Sequence, residues 1–139
     1  MKHEIKTQWK GNLLFNADSM GGSFNIDAAE EVGGTNNGLR PKALMLSSLA
    51  GCSGIDIASL LKKMRAEVEG MDIDVSAELT DEHPKYYNKV HVIYRFYGKD
   101  FKQDKIEKAV QLSIDKYCGV MEMFRKFAEI STEIVYIKS

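Results

Sequence analysis

The chain has 139 residues, 44% of them hydrophobic and 28% charged, and its 19 basic and 20 acidic side chains leave a net charge of −1. One domain, 1–139, is the expected organisation, since two independent cores need a longer chain. The apolar content excludes a disordered segment, and two cysteines exclude a disulfide scaffold. The near-zero charge leaves no field to gather nucleic acid or an anionic membrane, so neither is an expected partner.

Residues 3–9 alternate (His3, Ile5, Thr7 and Trp9 against Glu4, Lys6 and Gln8) and read as an opening strand. This start has no apolar h-region, so a cytoplasmic protein with reduced thiols is expected. Lys10-Gly11-Asn12 signals a turn, Leu13–Asn16 a second strand, and Gly21-Gly22 leads into a third at 23–27, which makes a meander. From Glu30 to Leu39 the run Gly33-Gly34-Thr35-Asn36-Asn37-Gly38 predicts a long irregular loop. Pro41 opens the longest helix, Ala43 to Met64, where a proline's missing N–H has no partner to lose. Its apolar residues lie on nearly every face, which predicts burial on most sides and a partner subunit over part of it. Ser47, Ser48, Ser53, Asp56 and Ser59 interrupt the same stretch and make it a poor membrane span.

Gly70 is expected to break the helix, before a strand in which Met71, Ile73, Val75, Ala77 and Leu79 point inward. After the loop 81–85, an antiparallel strand at 90–97 places Val90, Val92, Tyr94 and Phe96 on one side and His91 on the outer face. An amphipathic helix from Gln103 to about Cys118 is interrupted by Gly119, a short helix follows at 120–128, and a strand at 133–138 closes the chain. Strands, helix, strands, helices and strand make an α+β order rather than βαβ.

His3, His83 and His91 stand in separate elements without ligand-like spacing, and neither Gly21-Gly22 nor Gly33-Gly34 matches a phosphate-binding loop. No metal and no cofactor is therefore expected, and the scattered carboxylates nominate no pair. The cysteines stand apart. Cys52 lies mid-helix between Gly51 and Gly54, whose small size permits close approach to the sulfur, and Cys118 lies at a helix break before Gly119. On local sequence alone, both are equally readable as small buried hydrophobes.

The segment Arg40-Pro41-Lys42-Ala43-Leu44-Met45-Leu46-Ser47-Ser48-Leu49-Ala50-Gly51-Cys52-Ser53-Gly54-Ile55-Asp56, followed by Lys62-Lys63-Met64-Arg65, resembles the signature of the OsmC/Ohr family (osmotically inducible protein C and organic hydroperoxide resistance protein). Ser113-Ile114-Asp115-Lys116-Tyr117-Cys118-Gly119-Val120 resembles that family's second cysteine segment, and the likeness is to the OsmC-like branch. The resemblance implies an OsmC-like α+β fold, with antiparallel sheets around a long central helix in an intertwined homodimer. It also implies thiol-dependent reduction of organic hydroperoxides. Cys52 would attack the peroxide as a thiolate and become a sulfenic acid, Cys118 would resolve it as a disulfide, and an external dithiol would reduce that bond.

Two departures bear on this. Family peroxidases stabilise the thiolate with an arginine of the N-terminal sheet held by a glutamate near the helix start. Here the first arginine is Arg40, and Lys42 and Ala43 follow Pro41. Lys10, Arg40 and Lys42 are the cations left to lower the thiol pKa. The alternative is a small-molecule-binding or redox-sensing dimer with little turnover. Leu49, Met121, Met123 and Phe124 around the cysteines predict a preference for bulky organic hydroperoxides over hydrogen peroxide, so the expected partner is a small apolar peroxide or other small ligand.

Overall fold

The N-terminal meander forms with its strands displaced by one to three residues from their expected positions. In the computed structural model, which describes residues 1–139, β1 is Lys6–Trp9, β2 Phe15–Ser19 and β3 Gly22–Ile26, antiparallel in that order. Gly11 and Asn12 make the first turn with positive φ, which L side chains other than asparagine rarely adopt, and Gly21 does so in the second. The Trp9 indole donates to the Asn12 carbonyl at 2.8 Å and closes the first turn.

The glycine and asparagine loop is ordered by one carboxylate. Asp27, 2% exposed, accepts from the Ala28 N–H (2.7 Å), the Thr35 N–H (3.3 Å) and hydroxyl (2.7 Å), and the Asn37 N–H (3.0 Å). These bonds, the Asn37 amide first, hold its pKa at about 2. Gly34 is required here by space: a Cβ on it would stand 2.1 Å from the Ala28 carbonyl oxygen. A short 3-10 turn at Glu30–Val32 supplies regular structure that the composition did not suggest.

The chain falls into two compact units, Met1–Met45 and Leu46–Ser139. The first buries one apolar side chain, Ala17, and leaves Ile5, Trp9, Phe15, Met20, Val32 and Leu39 exposed. The core lies in the second.

Helix α1 spans Pro41–Lys63, and its buried residues in the second unit are Leu49, Ser53, Ile57 and Leu61. A spacing of four residues is a single stripe along a helix. The all-round apolar pattern is thus satisfied on one face only: Ile55 is 74% exposed. By length and composition α1 could cross a membrane; in this fold its buried stripe packs into the core. It ends at Lys63, and Arg65, not Gly70, makes the left-handed turn, with the Ala66 N–H bonded to the Leu61 carbonyl at 2.9 Å.

Strands β4 (Gly70–Leu79) and β5 (Tyr87–Gly98) pair antiparallel, and Val90, Val92, Tyr94 and Phe96 are all buried, as their alternation predicts. Met71, Ile73, Val75 and Ala77 pack on the core, but a bulge at Glu78/Leu79 turns Leu79 outward. Strand β6 is longer than expected, Glu129–Lys138, and pairs with β5 in parallel. The α+β class holds, but this sheet is mixed. The parallel pair needs a crossover, which α2 (Gln103–Leu112) and α3 (Gly119–Arg125) provide, so the chain does contain one β-helix-β passage. Between them Ser113–Tyr117 widens into a π-helical turn and Cys118 is extended. Gly119 therefore begins α3 instead of interrupting a longer helix.

Candidate thiol site

Residues four apart on a helix lie one above the other, so Cys52 and Asp56 share a face of α1, and Ser53 beside them enters the core. Gly54 is small because the sheet is close: a Cβ on it would stand 3.1 Å from Cδ1 of Ile73. Gly51 has open space instead. The π-helical turn delivers the second thiol. Its widened backbone lets the Cys118 N–H bond to the Ser113 carbonyl at 2.8 Å, and the sulfur then caps α3 by accepting the Met121 N–H at 3.3 Å.

These two placements converge. The sulfurs of Cys52 and Cys118 and a carboxylate oxygen of Asp56 all lie within 4.8 Å of one another. Both cysteines are free thiols, Cys52 half-buried and Cys118 buried. Burial, first, then the neighbouring Cys52 and the Asp56 charge push the Cys118 thiol up to about 11, against the Met121 amide, which favours the thiolate. The accessible sulfur is thus the one suited to meet a substrate, while the buried one keeps its proton at neutral pH.

Behind the thiols runs a chain of buried hydroxyls. Tyr94 and Ser53 are 2.9 Å apart, Ser53 and Ser113 2.9 Å, and the Ser113 hydroxyl donates to Asp56 Oδ2 at 3.1 Å. Tyr94, Ser53 and Ser113 have no exposed surface. Each hydroxyl has one proton, so once Ser113 donates to the carboxylate, Ser53 donates to Ser113 and Tyr94 to Ser53. All three dipoles then point at Asp56, an arrangement in which each bond strengthens the next. Burial raises the Tyr94 pKa, which keeps its hydroxyl a donor.

Cys52 and Cys118, the two residues nominated from sequence, are brought together; Asp56, Ser53, Ser113 and Tyr94 were missed. The one local signal was the Cys52–Asp56 spacing, since the rest depends on β5 and the π-helical turn meeting α1. Arg40, one of the candidate activating cations, bonds within its own loop, to the Gly38 carbonyl at 2.9 Å and to the Asn36 side chain. The apolar environment also differs from expectation: Leu49, Met121 and Phe124 are core residues at 0–1% exposure, and only Met123 is open.

Two thiols and a carboxylate offer three of the four ligands of a tetrahedral zinc ion. A search for short-spaced ligand pairs could not find this set, because its third member is far along the chain. His91 is on the outer face as expected, bonded to Ser131 (2.6 Å) and Glu133 (2.8 Å). Asp56 also lines an open groove with Ile55, Ser59, Leu60, Lys63 and Tyr117.

Residues 34–133 match the family model described as OsmC-like protein. Protein YhfA of Escherichia coli K12 is 32% identical over 91 residues, 66% of this chain and 68% of that one. The crystal structure of a hypothetical protein from Aquifex aeolicus VF5 superposes with a TM-score of 0.82 at 28% identity, over 99% of this chain and 98% of that chain. The organic hydroperoxide resistance protein OhrB of Bacillus subtilis shares the fold, with a TM-score of 0.67 and 17% identity over 96% and 98% of the two chains.

Proposed function

The chain belongs to the OsmC-like protein family, and on that footing we propose that it is a two-thiol reductase of organic hydroperoxides. The observation that carries this reading is the convergence of Cys52 and Cys118 within 4.8 Å from separate segments. Cys52 thiolate attacks the distal peroxide oxygen, the O–O bond breaks, and an alcohol leaves once protonated. The Cys52 sulfenic acid is then displaced by the Cys118 sulfur, which forms the disulfide and releases water. An external dithiol returns both thiols by exchange and leaves as its own disulfide. A buried Cys118 that holds its proton does not compete for peroxide, so the order of events follows from the unequal exposure of the two sulfurs.

The working form in this reading is a cytoplasmic homodimer. The face of α1 opposite its buried stripe carries Ser48, Gly51, Ile55 and Ala58, exposed and mostly small, which suits close approach of a second helix. A second reading, a redox-sensing or ligand-binding dimer with little turnover, draws on two observations. The Asp56 charge disfavours the Cys118 thiolate, and the family's arginine and glutamate have no counterparts at the expected positions.

The two readings separate in one assay. Consumption of cumene hydroperoxide with dithiothreitol as reductant is expected for the wild type and absent in Cys52→Ser; with the reductant withheld, Cys118→Ser is expected to consume one equivalent and keep a sulfenic acid at Cys52. A wild-type chain that forms the disulfide but consumes no peroxide catalytically assigns the sensing role.

A further inference from the structure

A thiol that attacks must lose a proton, and a leaving alkoxide or hydroxide must gain one. A neighbouring group held within reach of the sulfur can carry it. The carboxylate of Asp56 lies within 4.8 Å of both sulfurs. We propose that Asp56 is the proton carrier of the thiol cycle, serving Cys52 and Cys118 in turn.

In the first step the Asp56 carboxylate takes the Cys52 proton as sulfur attacks the peroxide and returns it to the departing alkoxide, giving the alcohol. In the second it takes the Cys118 proton as that sulfur displaces the sulfenic hydroxyl and returns it to the hydroxide, giving water. The carboxyl group ends each step as it began. This proposal rests on the peroxidase reading for its first step, whereas the second needs only oxidation of the thiol pair.

Three features support the assignment. The i, i+4 spacing on α1 places Asp56 beside Cys52, and the π-helical turn brings Cys118 to the same point. The Ser113 hydroxyl, itself fixed by Ser53 and Tyr94, holds Oδ2 at 3.1 Å and leaves other lone pairs of the carboxylate for the thiols. Need for a neighbouring base is greatest at Cys118, the sulfur that is buried and has the carboxylate oxygen of Asp56 within 4.8 Å.

Charge and proton transfer have opposite signs here, which makes the proposal decidable. An ionised Asp56 opposes thiolate formation by charge alone, so a purely electrostatic role means that Asp56→Asn speeds the thiols. A proton carrier means that the same change slows them. The groups around Asp56 are Cys52 and, along the groove, Lys63 on its own helix, Ser113 and Tyr117 of the π-helical turn, Cys118 after it, and Tyr94 of β5.

The experiment uses the full chain as wild type, Asp56→Asn and Asp56→Glu, with folding checked by circular dichroism. Diamide, which oxidises two thiols to a disulfide without peroxide, drives one arm, and cumene hydroperoxide drives the other. Asp56→Asn is expected to slow disulfide formation in both arms about a hundredfold at pH 7. The gap should narrow toward pH 10 as hydroxide takes over, and Asp56→Glu should recover part of the rate. An unchanged or faster Asp56→Asn at pH 7 overturns the proposal in favour of a charge effect, and equal slowness at both pH values overturns it in favour of a structural one. If no form consumes cumene hydroperoxide while the diamide arm shows the pH-dependent loss, the peroxidase reading fails and the role of Asp56 at Cys118 stands.

Discussion

The two units of this chain are built on different principles. Met1–Met45 holds three short strands and a loop with hydrogen bonds: its organising residue is the Asp27 carboxylate, and its buried apolar content is Ala17 alone. Leu46–Ser139 is held by fourteen mutually packed buried residues, among them Leu49, Tyr94, Phe96, Met121 and Phe124. A three-stranded sheet with almost nothing buried is marginal in water. The contrast teaches where each function can reside. A thiol pair that must meet at ångström accuracy sits in the unit with a core, while the other leaves apolar side chains such as Trp9 and Met20 exposed.

This contrast can be broken at several points, starting with the largest effect. Cys52→Ser should abolish catalytic hydroperoxide consumption while leaving the thermal melt nearly unchanged, because the half-buried sulfur contributes little packing. Phe124→Ala, at the foot of α3, should cost about 3–5 kcal/mol in urea unfolding, the usual result of emptying a well-packed aromatic site. Trp9→Ala, 62% exposed within the chain, should cost less than about 0.5 kcal/mol in a dilute monomer. A large loss for Trp9→Ala that depends on protein concentration would show that a partner covers that face.

Ile55→Lys tests the bare face of α1 directly. If the proposed homodimer packs through this face, light scattering should find wild type near twice 15.7 kDa and Ile55→Lys near 15.7 kDa with its fold retained. Ser53→Ala should cost about 1–3 kcal/mol, because it strands the buried Tyr94 hydroxyl. A further effect separates the units by pH. The Asp27 pKa is depressed to about 2, so its stabilisation is complete above the unfolded value near 4 and is lost as pH falls toward 2. Asp27→Asn should remove that part of the acid sensitivity, read as a flatter dependence of Tm on pH between 4 and 2.

Much of the fold is legible in the residues themselves. Alternation at 71–77 and 90–96 specifies two strands and the faces they bury, because side chains on a strand change sides at every residue. Proline at position 41 and the apolar run after it specify α1, and two cysteine segments mark the family. The nomination of Cys52 and Cys118 came from that resemblance, and their proximity is a property of the folded chain. What local pattern could not specify is how elements meet. The parallel pairing of β6 with β5, the π-helical turn that turns Cys118 toward α1, and the chain from Tyr94 through Ser53 and Ser113 to Asp56 join residues as far apart as 53 and 113. Hydrogen-bond partners at such separations are selected by packing of whole elements, so no window of sequence contains them. The stripe of α1 that packs inward was decided in the same way: an all-round apolar helix has no preferred face until a sheet is laid against one side of it.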